Sequence, residues 1–443
     1  MTLYKEAEAY LNQVCGQVRW KKAHGCIRQE LTAHIEDQAA QYRKEGLEEA
    51  EAWAKAVAAM GDPVETGALL DASYRPAPDW PTLLLLAGLV GAGVLAQGLL
   101  LGIDPDSRTL LGVLLAVGGF VGFYLADWRQ LKAAAPVAWG FLLALALGGL
   151  RQTSALHILC WNAMLLFPMV YGFLLWRLWG WGWKGLLLAG LAYGLPLAGL
   201  MYHNEYTLAL LLLFPGLGTV TLALLLGCFQ VNKKKGLGLI WGGALAITGV
   251  GLALLASKTH IKIRLWALLH PAQDPMGAGF MPLLQRELLR GARLMGPGGL
   301  TGPMATAVGP ERALEMIRRE TPLCYVIHQY GWWTLILLVL GAGYLLYRLS
   351  RGIRQQGALL GKLLGYPLLL LLVAQYAMAL CGNLGLYPYT VPALPFLSQG
   401  NASLVINGCL MGLLLSVTDT GRVQGSALLQ VGTQAPERRS PVC

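Results

Sequence analysis

Residues 258–331 gather acidic and basic side chains in one polar stretch. The carboxylates are Asp274, Glu287, Glu311, Glu315 and Glu320, and the cations include Lys258, Lys262, Arg264, Arg286, Arg290 and Arg293. Chemistry, if the chain does any, is expected there. A carboxylate within hydrogen-bond reach can take a proton from a hydroxyl. Arg, Lys or a bound divalent ion can offset negative charge that develops in a reaction. Plainer roles stand beside these. Asp274, before Pro275, can bond its own downstream amides, and Arg264 can snorkel to headgroups. Arg286, Arg290 and Arg293, at i, i+4 and i+7, can form the basic face of a helix lying on an anionic leaflet. Glu320 can be a solvated charge ending a short helix over Glu311–Arg319.

The elements that must position this stretch are apolar. The 443 residues are 55% hydrophobic and only 13% charged, half the charged share of a typical soluble domain. From Thr82 to about residue 418, about ten apolar runs approach the roughly 20 residues that span a bilayer. The fold class expected is therefore all-α, a polytopic membrane protein of about ten transmembrane helices. Short-loop Lys/Arg bias sets its orientation. Arg129/Lys132, Arg177/Lys184, Lys233–Lys235 and Arg348/Arg351/Arg354/Lys362 mark cytoplasmic loops, whereas those with Asp104/Asp106, Arg151 and His203/Glu205 carry less positive charge. Both termini are then expected in the cytoplasm of a multi-pass plasma-membrane protein, with 258–331 and 383–399 outside. Irregular backbone at such places must lie beyond the hydrocarbon or line a protein-walled cavity.

The net charge of +10 is dispersed, with no basic stripe among aromatics, which argues against nucleic acid as a partner. The eight cysteines form no Cys-x-x-Cys pair, and the seven histidines lack ligand spacing, so no metal site or disulfide framework is expected. The first residues are polar and no cleavable signal peptide is expected.

Residues 1–79 differ from the rest. Ile27, Leu31, Ile35 and Tyr42 recur at helical spacing before Gly46, and Trp53, Val57 and Met60 mark a second helix stopped at Gly61-Asp62-Pro63. An earlier helix is expected over Leu3–Lys22. This reads as a small cytoplasmic helical domain, joined by a linker at 75–81 to a transmembrane domain over 80–420. Residues 421–443 are expected to form a disordered cytoplasmic tail.

Four stretches resemble the SEDS family (FtsW/RodA/SpoVE). Arg264, Pro271, Asp274-Pro275 and Gly277-Ala278-Gly279 look like its "R…P..DP.GAGY" signature, with Phe280 for Tyr. Gln285, Gly291, Gly296 and Gly298 match a similar downstream pattern. Pro215–Thr219 is similar to "PDLGT", with Gly216 where Asp is usual. Asn383–Ser403 looks like "GLLPVTGIPLPFVSYGGSS", with Gln399 and Asn401 replacing Tyr and Gly. Residues 1–79, through Arg28–Asp37 and Met60–Pro63, resemble a permease-prefix (HAAS-like) module, for which regulation or protein interaction is the expectation.

The resemblance implies an inverting glycosyltransferase that polymerises lipid II with a class B penicillin-binding transpeptidase, in a role in shape, division or sporulation. It also implies an acidic base late in the outer loop, within "PE..HTDF". Counting back from Gly331 puts Glu320 there, with Pro310-Glu311 echoing the "PE". The site residues expected are Glu320 and Asp274 for catalysis, and Arg264, Lys262, Gln285, Arg290 and Ser398 for the substrate. A divalent cation, magnesium or manganese, is the cofactor such chemistry would call on. Two other readings stay open: a non-polymerising scaffold that binds lipid II or a transpeptidase, and a flippase for the lipid-linked precursor.

Overall fold

The computed structural model describes residues 3–74, 79–95, 107–148, 155–300, 302–389, 391–395 and 401–431. Most of the expected linker, the loops holding Asp104, Asp106 and Arg151, Ser398, Gln399 and the last twelve residues lie outside them. The chain divides into two units. The first comprises Met1–Asp79, Arg354–Gly361 and Val417–Cys443, and the second Trp80–Ile353 and Lys362–Ser416.

In the first unit, helices α1 (Leu3–Gln17), α2 (His24–Lys44), α3 (Glu49–Ala59) and α4 (Pro63–Ser73) share one core. Tyr10, Val14, Ile27, Ile35 and Ala56 are buried in it, and Trp53 and Met60 pack against it. Gly46 takes φ +96, the left-handed conformation expected after a helix C-terminus. Gly61-Asp62-Pro63 is a start as well as the expected stop. Asp62 accepts a hydrogen bond from the Val64 N–H at 3.2 Å, and Pro63 opens α4, the pairing that suits a helix N-terminus. Asp71 ties the unit across its length, accepting from Arg19 N at 2.8 Å and Arg19 Nε at 3.1 Å.

The second unit is a set of apolar helices. They are α5 (Trp80–Leu95), α6 (Ser107–Leu125), α7 (Ala135–Gly148), α8 (Ala155–Ala163), α9 (Phe167–Arg177), α10 (Gly182–Tyr202), α11 (Tyr206–Leu225) and α12 (Lys233–Ser257). After the polar segment come α18 (Trp333–Arg354), α19 (Leu359–Asn383) and α20 (Asn401–Val431). Among the described residues, five helices are long and apolar enough to cross a membrane, and α5, α6 and α7 are shorter apolar helices. Leu84, Val137, Leu245 and Leu337 are exposed on their outer faces, as lipid-facing side chains would be. The last helix runs past residue 420 to Val431, so the first eleven residues of the expected tail are helical.

The polar segment over 258–331 is folded, not a loose loop. It forms α13 (Thr259–Leu269), α14 (Phe280–Gly291), α15 (Pro303–Val308), α16 (Pro310–Glu320) and α17 (Pro322–Tyr330). Pro stands at the start of α15, α16 and α17, where its missing N–H costs nothing. Leu284, Leu288, Met304, Ala305, Ala313, Ile317 and Cys324 form a buried core among these helices. Each large aliphatic side chain buried there contributes roughly 1.5–3 kcal/mol. The basic face expected over Arg286, Arg290 and Arg293 is cut short, because α14 ends at Gly291 and Arg293 lies beyond it. A Cβ at Gly291 would sit 2.2 Å from the Gly299 carbonyl oxygen. Backbone at 291–299 therefore packs against itself there and pairs with 328–333.

Candidate functional site

Asp274 closes a tight turn between α13 and α14. Its Oδ2 accepts the Ala278 N–H at 2.8 Å, and its carbonyl accepts Gly277 N at 3.3 Å and Gly279 N at 3.1 Å. Crowding accounts for the glycines. A Cβ at Gly277 would lie 2.2 Å from the Asp274 carboxylate, and one at Gly279 2.3 Å from the Pro271 carbonyl. Much of this signature is thus a folding instruction for a turn, and the Asp274 side chain keeps its other oxygen at an exposed position.

On α14, Gln285 is buried and donates from Nε2 to the Gly382 carbonyl at 3.2 Å. Glu287 accepts from Met304 N at 3.1 Å and Ala305 N at 3.2 Å, satisfying amides that the first turn of α15 leaves open. Arg286 donates to the Leu268 carbonyl at the end of α13. Arg290 is exposed. The side chains of Gln285, Arg286 and Glu287 therefore join neighbouring helices.

Glu320, the last residue of α16, is exposed, and no hydrogen bond or ion pair engages its carboxylate among the described residues. The backbone immediately C-terminal to it is fixed. Thr321 is buried, and the Leu323 N–H, in the first turn of α17, donates to Asn383 Oδ1 at 3.0 Å. Asn383 in turn donates to the Ala379 carbonyl at 2.7 Å. The junction carrying Glu320 is thereby pinned to the start of the 383–395 loop. Burial pushes the neighbouring Cys324 thiol up to about 12, which leaves it an inert core side chain.

Arg264 belongs to the same loop from the other side. Its guanidinium carbon stands 5.6 Å from the Tyr389 ring centroid. Lys262 and Asp274 instead line an open groove of about 570 Å³ with Ile263, Leu265, Trp266 and Leu269. Lys262, Trp266 and Leu269 recur at i, i+4 and i+7 on one side of α13, and Arg264 lies on the side of buried Ile261 and Ala267. Arg264 is not among the residues that line this groove. Ser398 lies outside the described residues. Missed from the sequence were the partners of Lys258. It donates to Asn204 Oδ1 at 3.0 Å and the Tyr206 hydroxyl at 3.1 Å, contacts about fifty residues away that no local spacing announces.

Gly216, where the resembled motif has Asp, faces an occupied space. A Cβ there would sit 2.0 Å from the Tyr193 ring. Tyr193 packs on Phe167 and Tyr171 at centroid distances of 4.9 and 4.5 Å and donates to the Leu212 carbonyl. An aromatic cluster thus fills the room that a carboxylate would need. Among the described residues no three His, Cys, Asp or Glu side chains converge to ligate a metal, so the chain's own groups there do not fit a protein-only cation site.

Apolar helices of spanning length beside a folded polar subdomain define a multi-pass membrane protein. Residues 198–422, half of the chain, match the FtsW, RodA and SpoVE family of cell cycle proteins, and the chain belongs to that family. Stage V sporulation protein E of Bacillus subtilis is 28% identical over 214 residues, covering 47% of this chain and 55% of that protein. A probable peptidoglycan glycosyltransferase FtsW of Geobacter is 29% identical over 190 residues, covering 42% and 48%. The chain matches about half the length of these curated relatives. A chain described under structural coordination of polymerization and crosslinking by a peptidoglycan synthase complex has a similar fold, with TM-score 0.59, 22% identity and coverage of 77% and 98%. So has a mutant of the rod shape determining protein RodA of Thermus thermophilus, with TM-score 0.52, 20% identity and coverage of 77% and 97%.

Proposed function

We propose that the chain is a membrane peptidoglycan glycosyltransferase that polymerises lipid II at the outer leaflet of the bacterial plasma membrane, with both termini in the cytoplasm. Glu320 takes the proton of the acceptor sugar hydroxyl as that oxygen bonds to the donor's anomeric carbon. The bond from that carbon to the diphosphate breaks with inversion, and Arg264 offsets the charge on the leaving lipid diphosphate. One observation carries the reading. The Leu323–Asn383 hydrogen bond ties the backbone after Glu320 to the loop whose Tyr389 holds Arg264, so base and cation belong to one continuous structure. Magnesium or manganese, if recruited, would be held chiefly by the substrate's phosphate oxygens, as hard cations commonly are. A class B penicillin-binding transpeptidase is the proposed partner for cross-linking the product. The names of the relatives support this assignment.

The test is polymer formation by the purified chain from fluorescent lipid II, resolved on a gel. Glycan ladders from the parent and none from Glu320→Ala are the expected result; ladders of equal intensity from both reject Glu320 as the base. A non-polymerising scaffold is the second reading, favoured by Gly216, where the resembled motif has Asp and the Tyr193 ring fills the space. Lipid II binding without polymer under every cation tried would establish it.

A further inference from the structure

We propose that Lys258, Arg264, Tyr206 and Tyr389 form a subsite for the diphosphate-sugar headgroup of the lipid-borne substrate, an inference that rests on the polymerase reading. Three segments distant in sequence build it: residues 204–207 at the start of α11, 258–264 at the start of α13, and 387–389 after α19. The Tyr206 and Tyr389 rings lie 5.7 Å apart, as do those of Tyr389 and Tyr387. The Tyr387 and Thr207 hydroxyls, 2.9 Å apart, lock the platform to α11. On its two flanks stand the cations. Lys258 Nζ is 5.7 Å from the Tyr206 centroid and Arg264 5.6 Å from that of Tyr389.

Hydrogen bonds from Lys258 Nζ to Asn204 Oδ1 and the Tyr206 hydroxyl, and the cation–π contact of Arg264 with Tyr389, orient these charges without neutralising them. Neither Lys258 nor Arg264 has a carboxylate within ion-pair distance among the described residues. Glu205, next to Tyr206 in sequence, lies 2.9 Å from His157. Two oriented, uncompensated positive charges beside an aromatic surface suit a ligand that carries both phosphate and sugar: phosphate oxygens accept from the cations, and the apolar face of a pyranose packs on a ring. Burial keeps the Tyr387 and Tyr389 hydroxyls above their ordinary range, and Arg264 only partly offsets this for Tyr389, so these two rings stay neutral.

The experiment measures equilibrium binding of the full-length chain in nanodiscs to three probes: lipid II, undecaprenyl diphosphate and phosphatidylglycerol. Lys258→Ala and Arg264→Ala should each weaken lipid II and undecaprenyl diphosphate by about tenfold. Tyr389→Val should weaken lipid II more than the sugarless diphosphate, and Tyr389→Phe should bind as the parent does. Should Tyr389→Val fail to fold, the two surface cations carry the test. A parent that binds lipid II while all these variants bind it equally well overturns the subsite and leaves the polymerase reading intact. Equal loss of phosphatidylglycerol and lipid II in the cation variants overturns it in favour of an ordinary phospholipid headgroup. A parent that binds no lipid II rejects the polymerase reading itself.

Discussion

The turn at Asp274 and the helix after it differ from the α16–α17 junction in what their polar side chains do. In the first region Asp274 and Glu287 accept backbone amides, and Gln285 donates to a buried carbonyl. In the second, Glu320 engages no partner among the described residues, although the backbone after it is anchored through Asn383. Buried or capping polar groups hold a fold, because leaving their partners unsatisfied is costly. A group that must exchange a proton with substrate has to keep its lone pairs available while its backbone stays fixed. By that criterion, and on the proposed function, the more signature-rich region serves as scaffold and the junction as the reactive one.

Substitution at Glu320 should give the largest effect and sharpen the contrast most. Glu320→Ala should lower polymer formation by about a hundredfold or more without changing thermal stability in detergent. Glu320→Asp, which withdraws the carboxylate by one carbon, should lose roughly a hundredfold if a displacement of about 1 Å matters as it does elsewhere. Gln285→Ala comes next and should do the reverse. It strands the Gly382 carbonyl in a buried place and should cost about 1–3 kcal/mol of stability, with activity per folded molecule retained. Asp274→Ala ranks below it, at about 0.5–2 kcal/mol, the range for losing a side-chain cap on backbone amides. Asp274→Asn keeps an acceptor for Ala278 N and should restore most of that stability. If Asp274→Asn melts like the parent but makes no polymer, Asp274 acts on substrate and the contrast breaks.

Legibility tracked range in the sequence. The α16 helix was expected over Glu311–Arg319 and runs over Pro310–Glu320, because its Pro start and amphipathic spacing are local. The same local logic placed the stop of α3 at Gly61-Asp62-Pro63 but did not show that Asp62 and Pro63 also open α4. Arg293 fell outside its expected helix because a close backbone approach at Gly291, formed with residue 299, ends α14 first. The Tyr206–Tyr389 pair and the Tyr193 ring against Gly216 join residues 183 and 23 positions apart in sequence, so no periodicity reports them. The resemblance located the polar site, and only the coordinates showed that Lys262 and Asp274 line a groove whose lining does not include Arg264.

The smallest effect tests whether charge on α16 matters at all away from its end. Arg319 lies 2.8 Å from Glu315 one turn earlier, with both side chains well exposed. An exposed i,i+4 pair of this kind contributes no more than about 0.5 kcal/mol. Arg319→Ala should therefore leave the melting temperature nearly unchanged. It should also leave polymer formation close to the parent's, since Arg319 holds Glu315 and not Glu320. A large loss of activity at unchanged stability would mean that the positive charge beside the junction serves the reaction. The reactive region would then extend along α16, and the boundary drawn between scaffold and junction would have to move.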